Sequence, residues 1–352
     1  MNAPPRLHRR PNEVFARPGH FHAPGIRFDQ SAEPKKNLPP VTTTPKTPSR
    51  TALLFGFAAI YVIWGSTYLG IRVAVETMPP FLMAGARFLV AGSLLFGVLL
   101  LRGASWPTAA QWRDQAIVGT CLLLGGNALV AWAEQTVPSG LTTLILGASP
   151  FIMVIMDWVR PGGSGPATAT WLGLATGFAG LYVLLGPGAL PASARPAPLA
   201  LVALFSASFA WWGGSLYGKH AKSGAGPLMA AALQMLCGSF AMLATGLLLG
   251  ESTRVHLAAI SGRSWLAWGY LVVAGSLVAY PIYVWLLLHS TPARVSTYAY
   301  VNPIVAVILG WAVLDEPLTP RIAVAAVIII GAVAIITITK ARVRPPKPAA
   351  AG

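Results

Sequence analysis

The chain has 352 residues, of which 55% are hydrophobic and only 10% charged. A soluble domain carries about 25% charged residues, so a water-soluble globular fold is excluded. The formal net charge of +15 does not point to nucleic acid, because nine of the 25 Lys and Arg precede residue 51 and four follow residue 339, the flanking placement that sets membrane topology.

Residues 1–50 hold ten prolines, nine basic residues and no long apolar run. They read as a disordered, basic, Pro-rich cytoplasmic tail. The first apolar stretch comes too late and runs too long for a signal peptide. His8, His20 and His22 lie in this tail without the spacing of a metal chelate.

Ten apolar spans follow, at 52–71, 80–101, 115–134, 139–158, 170–187, 198–218, 227–249, 264–288, 293–313 and 321–340. Each approaches the ~20 residues a helix needs to cross a bilayer. None alternates apolar and polar residues as a transmembrane barrel would. The predicted fold class is therefore an all-α polytopic membrane protein. Cys121 and Cys237 both fall inside spans and read as unpaired small apolar residues. No clustered ligand set marks a metal site, and no cofactor is expected.

The chain is duplicated. Trp64-Gly-Ser-Thr-Tyr-Leu-Gly recurs as Trp212-Gly-Gly-Ser-Leu-Tyr-Gly, and each copy is followed at the same spacing by a proline, Pro79 and Pro227. Pro150 with Trp158 beyond it is matched by Pro303 with Trp311 beyond it. The halves are residues 51–190 and 198–340, five spans each, followed by a basic tail at 341–352. An odd number of spans makes the second half enter the membrane from the opposite side. Such inverted repeats are a recurring transporter architecture with the substrate near mid-membrane. With the N-terminus inside, nineteen basic residues collect on the inner side and five on the outer, which predicts that both termini are cytoplasmic.

Several side chains invite a functional reading. Pro150 and Pro303 each interrupt a span near its middle, either as packing kinks or as matched breaks that open the backbone toward a binding region. Tyr61, Trp64 and Tyr68 share one helix face. Trp211, Trp212, Tyr217, Tyr280, Tyr283, Tyr298 and Tyr300, beside Asn302, supply aromatic surface in the second half. They read as a cavity lining or, for some, as an interfacial belt. Arg87 lies inside the second span, where a charge asks for a reason. It reads equally as an ion pair with Glu76 or Glu134 and as a contact to a substrate carboxylate. Arg72 and Glu76 read as snorkelling neighbours at a helix end. Asn127 and Glu134 share a face; Glu134 is either a boundary charge or a group for ion pairing or coupling, and Asp157 reads as a boundary charge. No acidic residue occupies the centre of a span, and no nucleotide-binding or hydrolytic motif is present, so catalysis has no residue to rest on.

The stretches YVIWGSTYLGIRVAVETMPPFLMAGARFLVAG at 61–92, NALVAWAEQTVPSGLTTLILGASPF at 127–151 and TYAYVNPIVAVILGWAVLDEPLT at 297–319 resemble the drug/metabolite transporter superfamily, in particular its ten-helix EamA-type family. The resemblance implies ten helices in two inverted five-helix repeats, both termini cytoplasmic, a central cavity and export of amino acids or other small metabolites. The high Ala, Gly and Pro content suggests a bacterial source of high genomic GC, and hence a cell inner membrane location. It carries aromatic and polar cavity positions onto Trp64, Tyr68, Trp212, Tyr300 and Asn302, and the second-helix arginine onto Arg87. The family's Gly-Glu pair after the fourth and ninth helices is met only in part. The ninth ends Leu314-Asp315-Glu316, whereas the fourth ends Met156-Asp157-Trp158 with no glutamate. The expected function is secondary export of a small metabolite by alternating access, in contact with the lipid bilayer, with no nucleic acid partner. Two other readings share these residues: a broad-specificity drug exporter, and a membrane sensor or scaffold that uses the N-terminal tail.

Overall fold

The computed structural model describes residues 48–147, 149–159, 168–185, 196–221, 224–290, 292–295, 297–316 and 318–342. The N-terminal tail with its histidines lies outside them. Helix α1, Arg50–Ala74, starts where the Ser49 side chain accepts from the Ala52 N–H at 3.1 Å. Helices α2 (Pro80–Leu101), α7 (Pro198–His220) and α8 (Pro227–Leu248) each open on a proline, whose missing N–H is harmless in a first turn.

Helix α3, Ala109–Ala133, begins earlier than hydropathy predicts. Thr108 and Gln111 form a reciprocal capping box, so the polar residues before 115 are already helical. The fourth predicted span contains α4, Ser139–Gly147, and α5, Ser149–Val159. The first half closes with α6, Thr168–Leu185. In the second half α9 runs Gly262–His289. A single turn, Pro292–Val295, leads to α10, Tyr298–Leu314, and α11 is Pro320–Arg342.

Among the described residues, α1, α2, α3, α7, α8 and α9 are long and apolar enough to cross a membrane, and shorter apolar stretches lie at Trp171–Leu184, Val301–Leu314 and Pro320–Ala332. Large exposed side chains such as Phe55, Leu94, Leu101, Phe240 and Leu248 suit a hydrocarbon surround.

The helices pair across the duplication. Helix α2 packs on α8 and α6 on α11, each being the other's counterpart. Helix α1 packs on α9 and α10, and α7 packs in the matching way on α3, α4 and α5. Small residues let these backbones approach. A Cβ on Gly119 would stand 2.3 Å from the Gln234 carbonyl oxygen, and one on Gly65 would stand 2.6 Å from Val305 Cβ. The Gly of the first Trp-Gly motif is thus a point of close approach between α1 and α10.

Two departures from regular helix were not visible in the sequence. Thr120–Ala128 within α3 and Leu271–Ala279 within α9 are both wound as π-helix, nine residues each. They occupy corresponding places in the two halves. Such widened turns are rare and recur at functional sites.

Candidate functional site

A cavity of about 90 Å³ lies where the halves meet. Its walls come from both. Helix α1 supplies Trp64, Thr67 and Tyr68, and α2 supplies Arg87 and Phe88. The two π-helical stretches supply Gly126, Asn127 and Gly275, and α7 supplies Ser208 and Trp211. Tyr280 of α9 and Tyr298, Asn302 and Pro303 of α10 complete the lining with Ser149 of α5.

An aromatic cluster forms one wall. The Trp64 ring stands 4.8 Å from Tyr283 and edge-on to Trp211 and Tyr298 at 5.5 and 5.2 Å. These are the offset and edge-to-face separations at which rings attract. Polar tips fix the rings: Tyr283 Oη pairs with Ser215 Oγ at 2.7 Å, and Tyr280 Oη donates to Gln234 Oε1 at 2.8 Å. Gln234 in turn donates to Gln115 Oε1 at 2.6 Å. With its amide nitrogen facing them, Asn302 donates to the carbonyls of Tyr298 (3.2 Å) and Tyr61 (3.1 Å), binding α10 to α1.

Arg87 is 2% exposed. Its Nε donates to Ser276 Oγ at 2.7 Å, its guanidinium carbon lies 4.5 Å from the Phe88 ring centroid, and Nη1 has no hydrogen-bond partner. Neither ion pair considered for it forms, since Glu76 is exposed and Glu134 makes no bond to it. Asn127 Oδ1 is also buried without a donor.

At the end of the bundle where α1 finishes, which we term the far end, contacts cross between segments remote in sequence. Arg72 Nη1 donates to the backbone carbonyls of Glu134 and, at 2.8 Å, Gln135, rather than snorkelling beside Glu76. Glu134 is not a boundary charge, for it is 0% exposed with both carboxylate oxygens unpartnered. Glu316 accepts from the N–H of Ser139 at 2.7 Å and of Gly140 at 3.0 Å, and from the Ser139 hydroxyl at 2.9 Å. Glu251 accepts from Leu82 N–H at 2.9 Å and Phe81 N–H at 3.3 Å. Each carboxylate of the second half thereby caps a helix N-terminus of the first, α4 and α2 respectively. Burial pushes the Glu251 carboxyl above the ordinary carboxylate range, against the opposing pull of the Leu82 and Phe81 N–H groups.

The site brings together Trp64, Tyr68, Arg87, Asn127, Tyr280 and Asn302. Others fall elsewhere. Trp212 is fully buried away from the cavity, and its neighbour Trp211 lines it instead, because on a helix adjacent residues point some 100° apart. Tyr217 is exposed, donating to Asp114 Oδ1 at 3.2 Å. Tyr283 stands behind Trp64, lining a second space with Gln115 and Leu287. Pro303 does not break α10; the helix continues through it, its ring rests 3.3 Å from where a Gly147 Cβ would be, and it removes the donor for the Ala299 carbonyl. The side chains of Tyr300, Pro150 and Asp157 lie outside the described residues. Sequence reasoning passed over Phe88, Thr67, Ser208 and Ser149, and it placed Trp211 and Tyr298 only in a general aromatic list.

Two pseudo-symmetric helical halves that expose large apolar side chains on the outside and line a polar-and-aromatic cavity between them define the class of membrane transporters. The chain belongs to the EamA-like transporter family, which matches at residues 50–186 and 198–338. It is 37% identical over 289 residues to the uncharacterized inner membrane transporter YedA of Escherichia coli (strain K12), covering 82% of this chain and 91% of that protein. It is 26% identical to the uncharacterized transporter YvbV of Bacillus subtilis (strain 168), covering 83% and 92%. It is likewise 26% identical to a probable amino-acid metabolite efflux pump of Escherichia coli (strain K12), covering 74% and 86%. A solved crystal structure shares the fold at a TM-score of 0.60 with 20% identity, covering 83% of this chain and 99% of that one. The protein is thus a multi-pass inner membrane transporter.

Proposed function

We propose that the protein exports a small metabolite, an amino acid or related compound, by alternating access through the central cavity, with ten membrane crossings and both termini cytoplasmic. The observation that carries this is a cavity lined by both halves, whose wall combines stacked aromatic rings with unsatisfied polar groups. Aromatic faces hold the apolar part of a solute, and the amide and hydroxyl groups orient its polar part. The far end, which faces outward in this orientation, is held shut by the Glu316 and Glu251 caps. Exchange of access consists of releasing those caps while the opposite end closes. The relative named as a probable amino-acid metabolite efflux pump supports this direction of transport and substrate class.

The test is uptake of a radiolabelled amino-acid panel into proteoliposomes, with and without a proton gradient, beside Trp64→Ala. Uptake of one group of compounds that the variant loses supports the proposal. Movement of cationic dyes with no amino acid moved would replace it with a drug exporter, and no movement of any solute would remove transport from the account.

A further inference from the structure

Arg87 sits in the cavity wall as a permanently charged group whose only hydrogen bond from Nε goes to a neutral serine. Its other neighbours are the Phe88 ring and the Gly275 backbone. A Cβ on Gly275 would stand 2.7 Å from Arg87 Nη2, so the π-helical stretch of α9 makes room for the guanidinium. Among the described residues, no carboxylate lines the cavity. The acids nearest the far end are otherwise disposed: Glu251 and Glu316 cap helices, and Glu134 forms no bond to Arg87. A buried charge is retained at such a depth when something pairs with it, and among the described residues nothing supplies that counter-charge.

Resting on the transporter reading above, we propose that the transported solute carries a carboxylate and that this group docks on the free Nη1 of Arg87. The planar guanidinium fork matches a carboxylate in shape and charge. One cationic group balances one negative charge, which favours a carboxylate over a phosphate dianion. The rest of the cavity suits the other end of an amino acid. Asn127 Oδ1 is a buried acceptor awaiting a donor, and the faces of Trp64 and Trp211 attract an ammonium group. The aromatic cluster selects by size and apolarity, whereas Arg87 selects for the acid function.

The experiment compares each standard amino acid with its own amide and methyl ester, and with phosphoethanolamine, using the wild-type protein. Counterflow in proteoliposomes measures transport, and the thermal shift of purified protein measures binding independently of it. The expected result is that at least one free amino acid binds and exchanges, while its amide and ester are weaker by about ten- to a hundredfold, the worth of a charge-assisted hydrogen bond. Arg87→Met should abolish the preference of acid over amide, and Arg87→Lys should restore it in part. Equal handling of acid and amide would overturn the proposal while leaving the transporter reading intact. Binding of acids without counterflow would uphold Arg87 as the anchor and sink transport. Selective binding of phosphoethanolamine, or no response to any carboxylate, would also overturn the proposal. Because the acid and amide arms use only unaltered protein, a variant that fails to fold does not blunt the test.

Discussion

Trp64 carries packing and function at once. It touches Trp211, Tyr283 and Tyr298, so its loss leaves three rings facing a void. Truncating a large buried aromatic costs about 3–5 kcal/mol. Trp64→Ala should lower the melting temperature in detergent as well as transport, and Trp64→Phe should restore most of the melting temperature. A variant that melts like the wild type would show that the cluster contributes no packing. Glu134 makes the opposite case. Both its oxygens are buried without partners, while its backbone carbonyl accepts from Arg72 of α1. A buried carboxylate in that state gains nothing from its charge. Glu134→Gln keeps the shape and should leave the melting temperature unchanged or higher at neutral pH, whereas loss of a working ion pair would lower it by several degrees. That Glu134 is interior was not legible in the sequence. It follows one residue after a long apolar run, where hydropathy alone places a boundary, and its burial comes from segments far along the chain. Arg87, by contrast, was conspicuous as a charge inside an apolar span, and only its partner was left open.

At the scale of the helix, the informative elements are the widened turns of α3 and α9. Each turns polar or small residues into the cavity, Asn127 and Gly126 from one and Gly275 from the other. A Cβ on Gly126 would stand 2.8 Å from Trp211 Cε3. Gly126→Ala should therefore displace the Trp211 ring, at about 1–3 kcal/mol of overpacking strain. Transport should fall more than melting temperature does. Equal transport by Gly126→Ala would mean that the position of Trp211 is irrelevant to the solute. These turns are not legible in the sequence, where prolines such as Pro150 and Pro303 are the residues that announce backbone irregularity. At Pro303 the helix is not interrupted; α10 passes through it. The π-helical stretches carry no proline, and glycines in an apolar span read first as packing residues. Helix existence was legible from apolar length and from the prolines that open α2, α7 and α8. The start of α3 was not, because its capping box holds residues 109–114, with Gln111, Arg113 and Asp114 among them, in helix before the apolar run begins.

Across the whole molecule, the duplication seen in the Trp-Gly and proline pairs becomes the pairing of α2 with α8 and of α6 with α11, and the matching cross-packing of α1 and α7 on the other half's helices and their own. What the sequence hid is how the ends are fastened, because Glu316 and Ser139 are remote in the chain and meet only in the fold. The Gly-Glu pattern flagged Glu316, and the structure gives the reason: its carboxylate supplies acceptors for the first N–H groups of α4. Loss of such a cap costs about 0.5–2 kcal/mol, small against the whole fold but large for an end that must open. Glu316→Ala should therefore shift the far end toward open while the protein stays folded, and Glu316→Gln, which keeps one acceptor, should shift it less. Thr142 lies one turn below the cap and is fully buried, so Thr142→Cys reports the opening directly. In intact cells, a membrane-impermeant maleimide should label that cysteine slowly in the parent and several-fold faster with Glu316→Ala. Labelling from outside would also fix the far end as the outer face. Labelling only after the cells are broken would invert the orientation, and an unchanged rate would show that the carboxylate cap holds a helix end without holding the gate.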